Sequence, residues 1–272
     1  MTPVFREASQ DELSQVLDWA AAEGWNPGLG DAAAFHVADP HGFFLAEADG
    51  APVAAISVVN HSEDFAFLGL YLCQPEWRGQ GIGYALWSHA LAHAGSRTVG
   101  LDGVAAQQAN YAKSGFVLTG ATLRFEGVLA AETAPGIRLA RPEDSALLLA
   151  LDAEANGVSR PRFLSTWTAQ TPDRNTVVSD VGFATARRCR EGCKIGPVIA
   201  PDTETALALA RAALASLGGE KAIIDVPEGN TRLIAALRAL GFVDTFATAR
   251  MYRGTPPQPG PALQAIATME LG

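Results

Sequence analysis

The sequence predicts a mixed α/β fold built twice in tandem, each copy a mixed, mostly antiparallel sheet flanked by helices. Three observations lead there. Apolar runs of strand length alternate with segments of helical spacing. Landmarks of the first half recur in the same order in the second. A buried-strand pattern also runs through a turn into three alternating glycines and then a helix. The 272 residues, 48% hydrophobic and 18% charged, suffice for two ordinary domains and are too apolar for a disordered chain.

The elements follow in order. A short strand around Phe5 leads to Leu13, Val16, Leu17 and Ala20 at helical spacing, with Ser9 and Asp11 as cap candidates. The run from Gly24 to Gly28 breaks that helix, and a weaker one covers residues 32–37. Residues 42–48 and 52–60 form a hairpin about Asp49-Gly50. His61, Glu63 and Asp64 read as a solvated turn before the apolar strand 65–73. A helix over 82–94, a strand over 98–101, a short helix over 106–113 and a strand from Phe116 complete the half.

The second half echoes this series. Gly69 to Pro75 is matched by Gly196 to Pro201, Leu101-Asp102 by Ile224-Asp225, and Gly115-Phe116 by Gly241-Phe242. The boundaries are residues 1–130 and 136–272. A Pro-rich piece, 255–261, precedes a strand-like end, 263–271.

Composition narrows the function. A net charge of −9 argues against a general nucleic-acid binder, because phosphate binding needs a basic surface. No apolar run is long enough for a membrane helix, and the start lacks a secretory core. Three cysteines are no disulfide framework, which predicts a reducing, cytoplasmic setting. Cys189 and Cys193 lack further ligands beside them, and the histidines lack a third donor, so no metal is expected. Arg160, Arg162, Arg187, Arg188 and Arg190 read as a solvated basic face. Monomer and homodimer stay open.

The chemistry concentrates in Tyr71, Leu72 and Cys73 at the strand end, then Arg78, Gly79, Gln80, Gly81, Ile82, Gly83 and Tyr84. Glycines bring the backbone close to a ligand, free amides at a helix start attract an anion, and Arg78 adds charged donors. A pyrophosphate fits this pattern. A P-loop is excluded because Gly83 is followed by Tyr84 and Ala85, and the dinucleotide fingerprint because the glycine spacing is wrong.

The run from Arg78 to Gly83 after a strand ending in Pro75, with Tyr111 four residues before Gly115-Phe116, resembles the GNAT acyl-CoA N-acyltransferases. The resemblance covers residues 3–128; the second half is similar to a divergent copy, as in tandem GNAT proteins. It implies acetyl-CoA as cosubstrate, with Tyr71 to Cys73 along the pantetheine arm and Arg78 to Tyr84 on the pyrophosphate. It implies Tyr111 as general acid for the departing thiolate. It implies an N-acetyltransferase acting by direct attack on a small-molecule amine. A peptide or protein amine, or a non-catalytic acyl-CoA sensor, is the alternative.

An alkyl ammonium of pKa about 10.4 must lose a proton before it attacks. Asp102 is the candidate proton relay, with a turn or cap role equally open. The resemblance places Trp25 and Asn26 where this fold builds its acceptor wall, with a core-anchor role for the tryptophan equally open. An Asn often found seven residues before the tyrosine is Val104 here. After Pro201 come Asp202 and Glu204 in place of Arg and glycines, and no tyrosine lies between Asp225 and Gly241. The second copy has lost the CoA-binding parts, leaving it to pack on the first and close one side of the acceptor site.

Overall fold

The computed structural model of the chain describes residues 3–272. In the first half β1 (Val4–Glu7), β2 (Phe43–Ala48), β3 (Ala51–Asn60) and β4 (Phe65–Cys73) form an antiparallel ribbon, and β5 (Thr98–Gly103) joins β4 in parallel. Successive residues of β2 point to opposite faces, as a pleated strand requires. Phe43 and Leu45 meet Leu13, Val16 and Leu17 of α1 (Gln10–Ala22) and Phe35 of α2 (Asp31–Ala38). Phe44 and Ala46 meet Leu86, Trp87 and Ala90 of α3 (Ile82–Leu91). Helix α1 starts as its sequence indicates: Ser9 accepts from the Glu12 amide and Glu12 reaches back, a capping box. Each fully buried leucine on its inner face contributes about 1.5–3 kcal/mol.

The second half repeats the plan. It comprises β7 (Arg138–Leu139), α5 (Ser145–Asn156), α6 (Pro161–Trp167), β8 (Arg174–Ser179), β9 (Gly182–Arg188) and β10 (Cys193–Ile199). There follow α7 (Thr203–Leu217), β11 (Lys221–Pro227), α8 (Thr231–Ala239), β12 (Val243–Arg253) and β13 (Leu263–Ala265). Between the halves lie α4 (Gln108–Lys113) and β6 (Val117–Val128).

The two sheets are one. Among the described residues thirteen strands run in the order β1-β2-β3-β4-β5-β12-β6-β11-β10-β9-β8-β7, with β13 beside β10. The last long strands are exchanged. Strand β12 of the second half lies against β5, Arg250 opposite Asp102, and β6 of the first half lies against β11, Arg124 opposite Asp225. Strands β6 and β12 pair with each other at the centre. Both register positions carry a bidentate ion pair. Arg124 meets Asp225 at 2.7 and 2.8 Å, and Arg250 meets Asp102 at 2.9 and 2.6 Å.

Several expectations need correction. The helix over 82–94 stops at Leu91 and tightens into a 3-10 turn, and only Leu263–Ala265 of the final segment is strand. Of the five arginines expected on a solvated face, Arg162 and Arg190 are exposed, Arg188 is half-buried, and Arg160 and Arg187 are buried. Arg160 is buried against Asp152, and Arg187, together with Arg174, is buried against Asp31 of α2, both guanidinium groups lying on the Trp167 ring. Of the turn at 61–64, Glu63 and Asp64 are exposed, but His61 is buried and bonded to the Leu271 carbonyl at 2.8 Å. Apolar surroundings disfavour the imidazolium, and burial pushes His61 down to about 4.

Candidate active site

A cleft of about 560 Å³ opens where β4 and β5 part. The two strands pair from Phe65 with Thr98 to Leu68 with Leu101, and not beyond. From Gly69 onward β4 keeps its hydrogen bonds to β3 alone, which leaves its other edge facing the gap. The divergence starts at a bulge. One β3 residue, Ile56, lies opposite the pair Leu70 and Tyr71, and Leu70 has φ +46, an uncommon conformation for a branched-chain residue. Tyr71, Leu72 and Cys73 therefore line the cleft.

The glycine loop forms the far wall. Gly79 and Gly81 have φ +75 and +80, where a side chain is strained. Gly81 is the N-cap of α3; no side chain caps it, and no acidic residue sits in the first turn. The opening amides of that turn, at Ile82, Gly83 and Tyr84, have no intrahelical acceptor, so they and the helix dipole form an anion site. At Gly83 a Cβ would come within 2.7 Å of the Tyr71 hydroxyl, so glycine lets the tyrosine reach the helix start. The Ile82 side chain turns into the core, Tyr84 is exposed, and the Gln80 amide donates to the Glu76 carbonyl.

Arg78 departs from expectation. Its guanidinium donates to the Cys73 carbonyl at 2.8 Å and pairs with Glu23 of the loop after α1. It braces the loop against the strand end through Nε and Nη2, and among the described residues Nη1 has no partner.

Tyr111 of α4 lines the cleft, stacked on Trp87 at 5.3 Å. A Cβ on Gly103 would lie 2.3 Å from the Tyr111 ring, which shows how closely β5 is packed on it. Burial, with Tyr71 beside it, pushes the Tyr111 hydroxyl above its ordinary value, so it is a held proton. Burial likewise raises the Cys73 thiol, against the pull of Arg78.

Asp102 also lines the cleft, but its two oxygens are taken by Arg250, and the Thr122 hydroxyl donates to one of them at 3.2 Å. A carboxylate so engaged is a strut, and the proton-relay expectation does not survive this geometry. Trp25 is in the wall; Asn26 is not, because its amide is bonded to the Glu191 backbone in the β9–β10 loop.

Sequence reasoning missed the wall opposite. Arg124, Phe246, Thr248, Met269 and Glu270 line the cleft, the last four from the second half. Arg124 also donates to the Trp25 carbonyl at 3.1 Å, and the buried Lys194 donates to the same oxygen at 3.0 Å. Burial pushes the Lys194 ammonium below its ordinary value. Burial alone would raise the Asp225 carboxyl, but the Arg124 guanidinium outweighs it and holds the carboxyl low. The echo of Asp225 with Asp102 was the signal in the sequence that two arginines would be needed. Among the described residues no group of three metal-binding side chains occurs, and no helix is long and apolar enough to cross a membrane.

Residues 6–116 match the model described as acetyltransferase (GNAT) family, and residues 148–265 that described as acetyltransferase (GNAT) domain. A curated relative, holothin acyltransferase of Pseudoalteromonas sp. (strain SANK 73390), is 34% identical over 98% of this chain and 94% of its own. The chain belongs to the GNAT acetyltransferase family. It is an acyltransferase with two GNAT domains in tandem. The tandem fold recurs in a putative acetyltransferase from Pyrococcus horikoshii, at a TM-score of 0.84, 20% identity, and coverage of 99% of this chain and 96% of that one. A tandem GNAT protein from the clavulanic acid biosynthesis pathway aligns at a TM-score of 0.59 and 16% identity, over 95% of this GNAT chain and 100% of its own.

Proposed function

We infer that this GNAT protein moves an acetyl or similar short acyl group from acyl-CoA to an amine of a small molecule by direct attack. The observation that carries the reading is the joining of two open features in one cleft. The edge of β4 is unpaired from Gly69 to Cys73, and the glycine-capped start of α3 is free of any side-chain cap. An extended pantetheine arm needs the first, and a pyrophosphate needs the second.

The residues fit such a ligand. Amides of Gly83 and Tyr84 hold the diphosphate, the β4 edge holds the arm, and an amide near Leu72 or Cys73 faces the thioester carbonyl. Tyr111 supplies a proton to the leaving sulfur. With its thiol raised by burial, Cys73 is a poor nucleophile, which favours direct attack over an acyl-enzyme. A small acceptor is supported by the name of the curated relative, whose acceptor is holothin. It is supported also by the enclosing wall of Trp25, Phe246 and Met269.

Coenzyme A release from acetyl-CoA, followed with DTNB over a panel of alkyl and aryl amines, tests the reading. Tyr111→Phe is expected to lower kcat about 30-fold, below the usual 100-fold or more for a general acid because a thiol leaves readily, with CoA affinity unchanged. Tight CoA binding without turnover of any amine would instead mark an acyl-CoA sensor, and turnover restricted to peptides would mark a protein acetyltransferase.

A further inference from the structure

We propose that Glu270, delivered by the C-terminal segment of the second half, is the catalytic residue that takes the proton from the acceptor amine; this rests on the reading of the cleft as an acyl-transfer site. The segment reaches the cleft along a defined path. Strand β13 pairs with β10, the Ile266 amide donates to the Asp225 carbonyl at 3.0 Å, and the chain passes so close to β10 that a Cβ on Gly196 would lie 2.1 Å from the Ile266 oxygen. It then crosses β4, where a Cβ on Gly69 would lie 2.1 Å from the main-chain carbonyl oxygen of Glu270. Gly69 immediately precedes the bulge at Leu70, so Glu270 stands where β4 and β5 begin to part, beside the strand segment that faces the thioester.

The carboxylate is 5% exposed and lines the cleft. Its Oε2 accepts from the Thr268 hydroxyl, and among the described residues nothing donates to Oε1. That oxygen is not sealed off by the protein and opens to the cleft, where an acceptor or a water can reach it. Three acids line this cleft, and the other two are spoken for, Asp102 by Arg250 and Glu23 by Arg78. The nearby cations are also engaged, Arg124 with Asp225 and Lys194 with the Trp25 carbonyl. They compensate the negative charge without capping it.

The step balances. The neutral acceptor nitrogen forms a C–N bond to the acyl carbon, and the C–S bond breaks. The proton lost from nitrogen goes to Glu270, directly or through one water, and the sulfur takes its proton from Tyr111. Glu270 then returns its proton to Tyr111 through solvent. The charges that act on Glu270 are Arg124 on β6 and Lys194 on β10, and Asp102 on β5 and Tyr111 on α4 line the same cleft.

The test compares the wild-type chain with Glu270→Gln on the best amine of the panel at pH 7.5, with CoA affinity by calorimetry. The expected result is a loss of at least 100-fold in kcat with CoA affinity within twofold. If Glu270→Gln does not fold, Glu270→Asp replaces it, with CoA affinity kept and kcat lowered at least tenfold. Turnover within threefold of wild type overturns the assignment alone. So does a loss of CoA affinity that matches the loss of turnover. A wild type that binds CoA but acylates no amine overturns the acyl-transfer reading as well.

Discussion

The two clefts of this molecule start from the same plan and end differently. In the first half β4 and β5 part after Leu68 and Leu101, and the gap is open. In the second, β10 and β11 pair only at Cys193 with Ala222 and Lys194 with Ile223 before parting, and β13 fills the gap, paired to β10. The following helices differ in the same sense. The first turn of α3 begins at uncapped Gly81, whereas that of α7 is capped by Asp202, which accepts from the Thr205 amide at 2.8 Å. On the proposed reading, a cleft takes acyl-CoA only if its strand edge and helix start are both left unsatisfied by the protein. The second half satisfies both internally, and the segment that fills its gap continues into the first cleft as Met269 and Glu270.

The bond most shared between the two halves is also the one expected to matter most for stability. Arg124→Met leaves Asp225 buried at the β6–β11 seam without its guanidinium partner. Breaking one side of a buried pair costs about 3–5 kcal/mol. Chemical denaturation should show a loss of that size, in one transition that involves both halves, because the exchanged strands make them one sheet. Two separate transitions would show that the seam couples the halves less than the topology indicates.

The His61 contact tests how firmly the C-terminal segment is docked. The folded value of about 4 lies below the ordinary 6.5, so the folded state binds fewer protons than the unfolded chain between the two. The associated stability is complete above pH 6.5 and is lost as the pH falls toward 4. The span corresponds to about 3 kcal/mol. Denaturant midpoints measured from pH 7.5 to 4.5 should fall accordingly, and the same series on His61→Gln should be flatter.

Gly81→Asp copies the cap of the closed cleft into the open one. It places a carboxylate where a diphosphate should sit, at a position with φ +80. Repulsion at the helix start and the loss of a charged hydrogen bond to the diphosphate together amount to about 2–3 kcal/mol, or on the order of 100-fold in CoA affinity, while the backbone strain lowers stability instead. Calorimetry on a variant confirmed as folded checks this.

Asp202→Ala performs the reverse experiment and has the smallest expected effect. Loss of the cap costs about 1 kcal/mol in stability. It should create no second CoA site, because β13 still occupies the gap. A second equivalent of CoA bound by this variant would show that the cap, not the strand, closes the cleft.

The parts of the site that the sequence revealed are those whose physics is local. Gly79, Gly81 and Gly83 sit within one turn of each other, and their strand and helix flanks have clear periodicities. Tyr111 follows from its spacing to Gly115. What escaped depends on contacts between remote residues. Exchange of β6 and β12 keeps each strand's apolar alternation unchanged whichever half it pairs with, so no pattern announces it. Arg187 reads as a surface charge until the fold brings it to Asp31, and the Glu23 partner of Arg78 is 55 residues away in the chain. Glu270 lies outside every motif, in a segment whose spacing suggests only a strand, and enters the cleft because Gly69 allows it to pass.

The central claim is that one chain binds one acyl-CoA, in the cleft between β4 and β5. Titration of the purified, folded chain with CoA by isothermal calorimetry tests it most directly. The account predicts a single site per chain in the wild type and in Asp202→Ala, and its loss in Gly81→Asp. No heat with the wild type, or a site that survives Gly81→Asp unchanged, would contradict it.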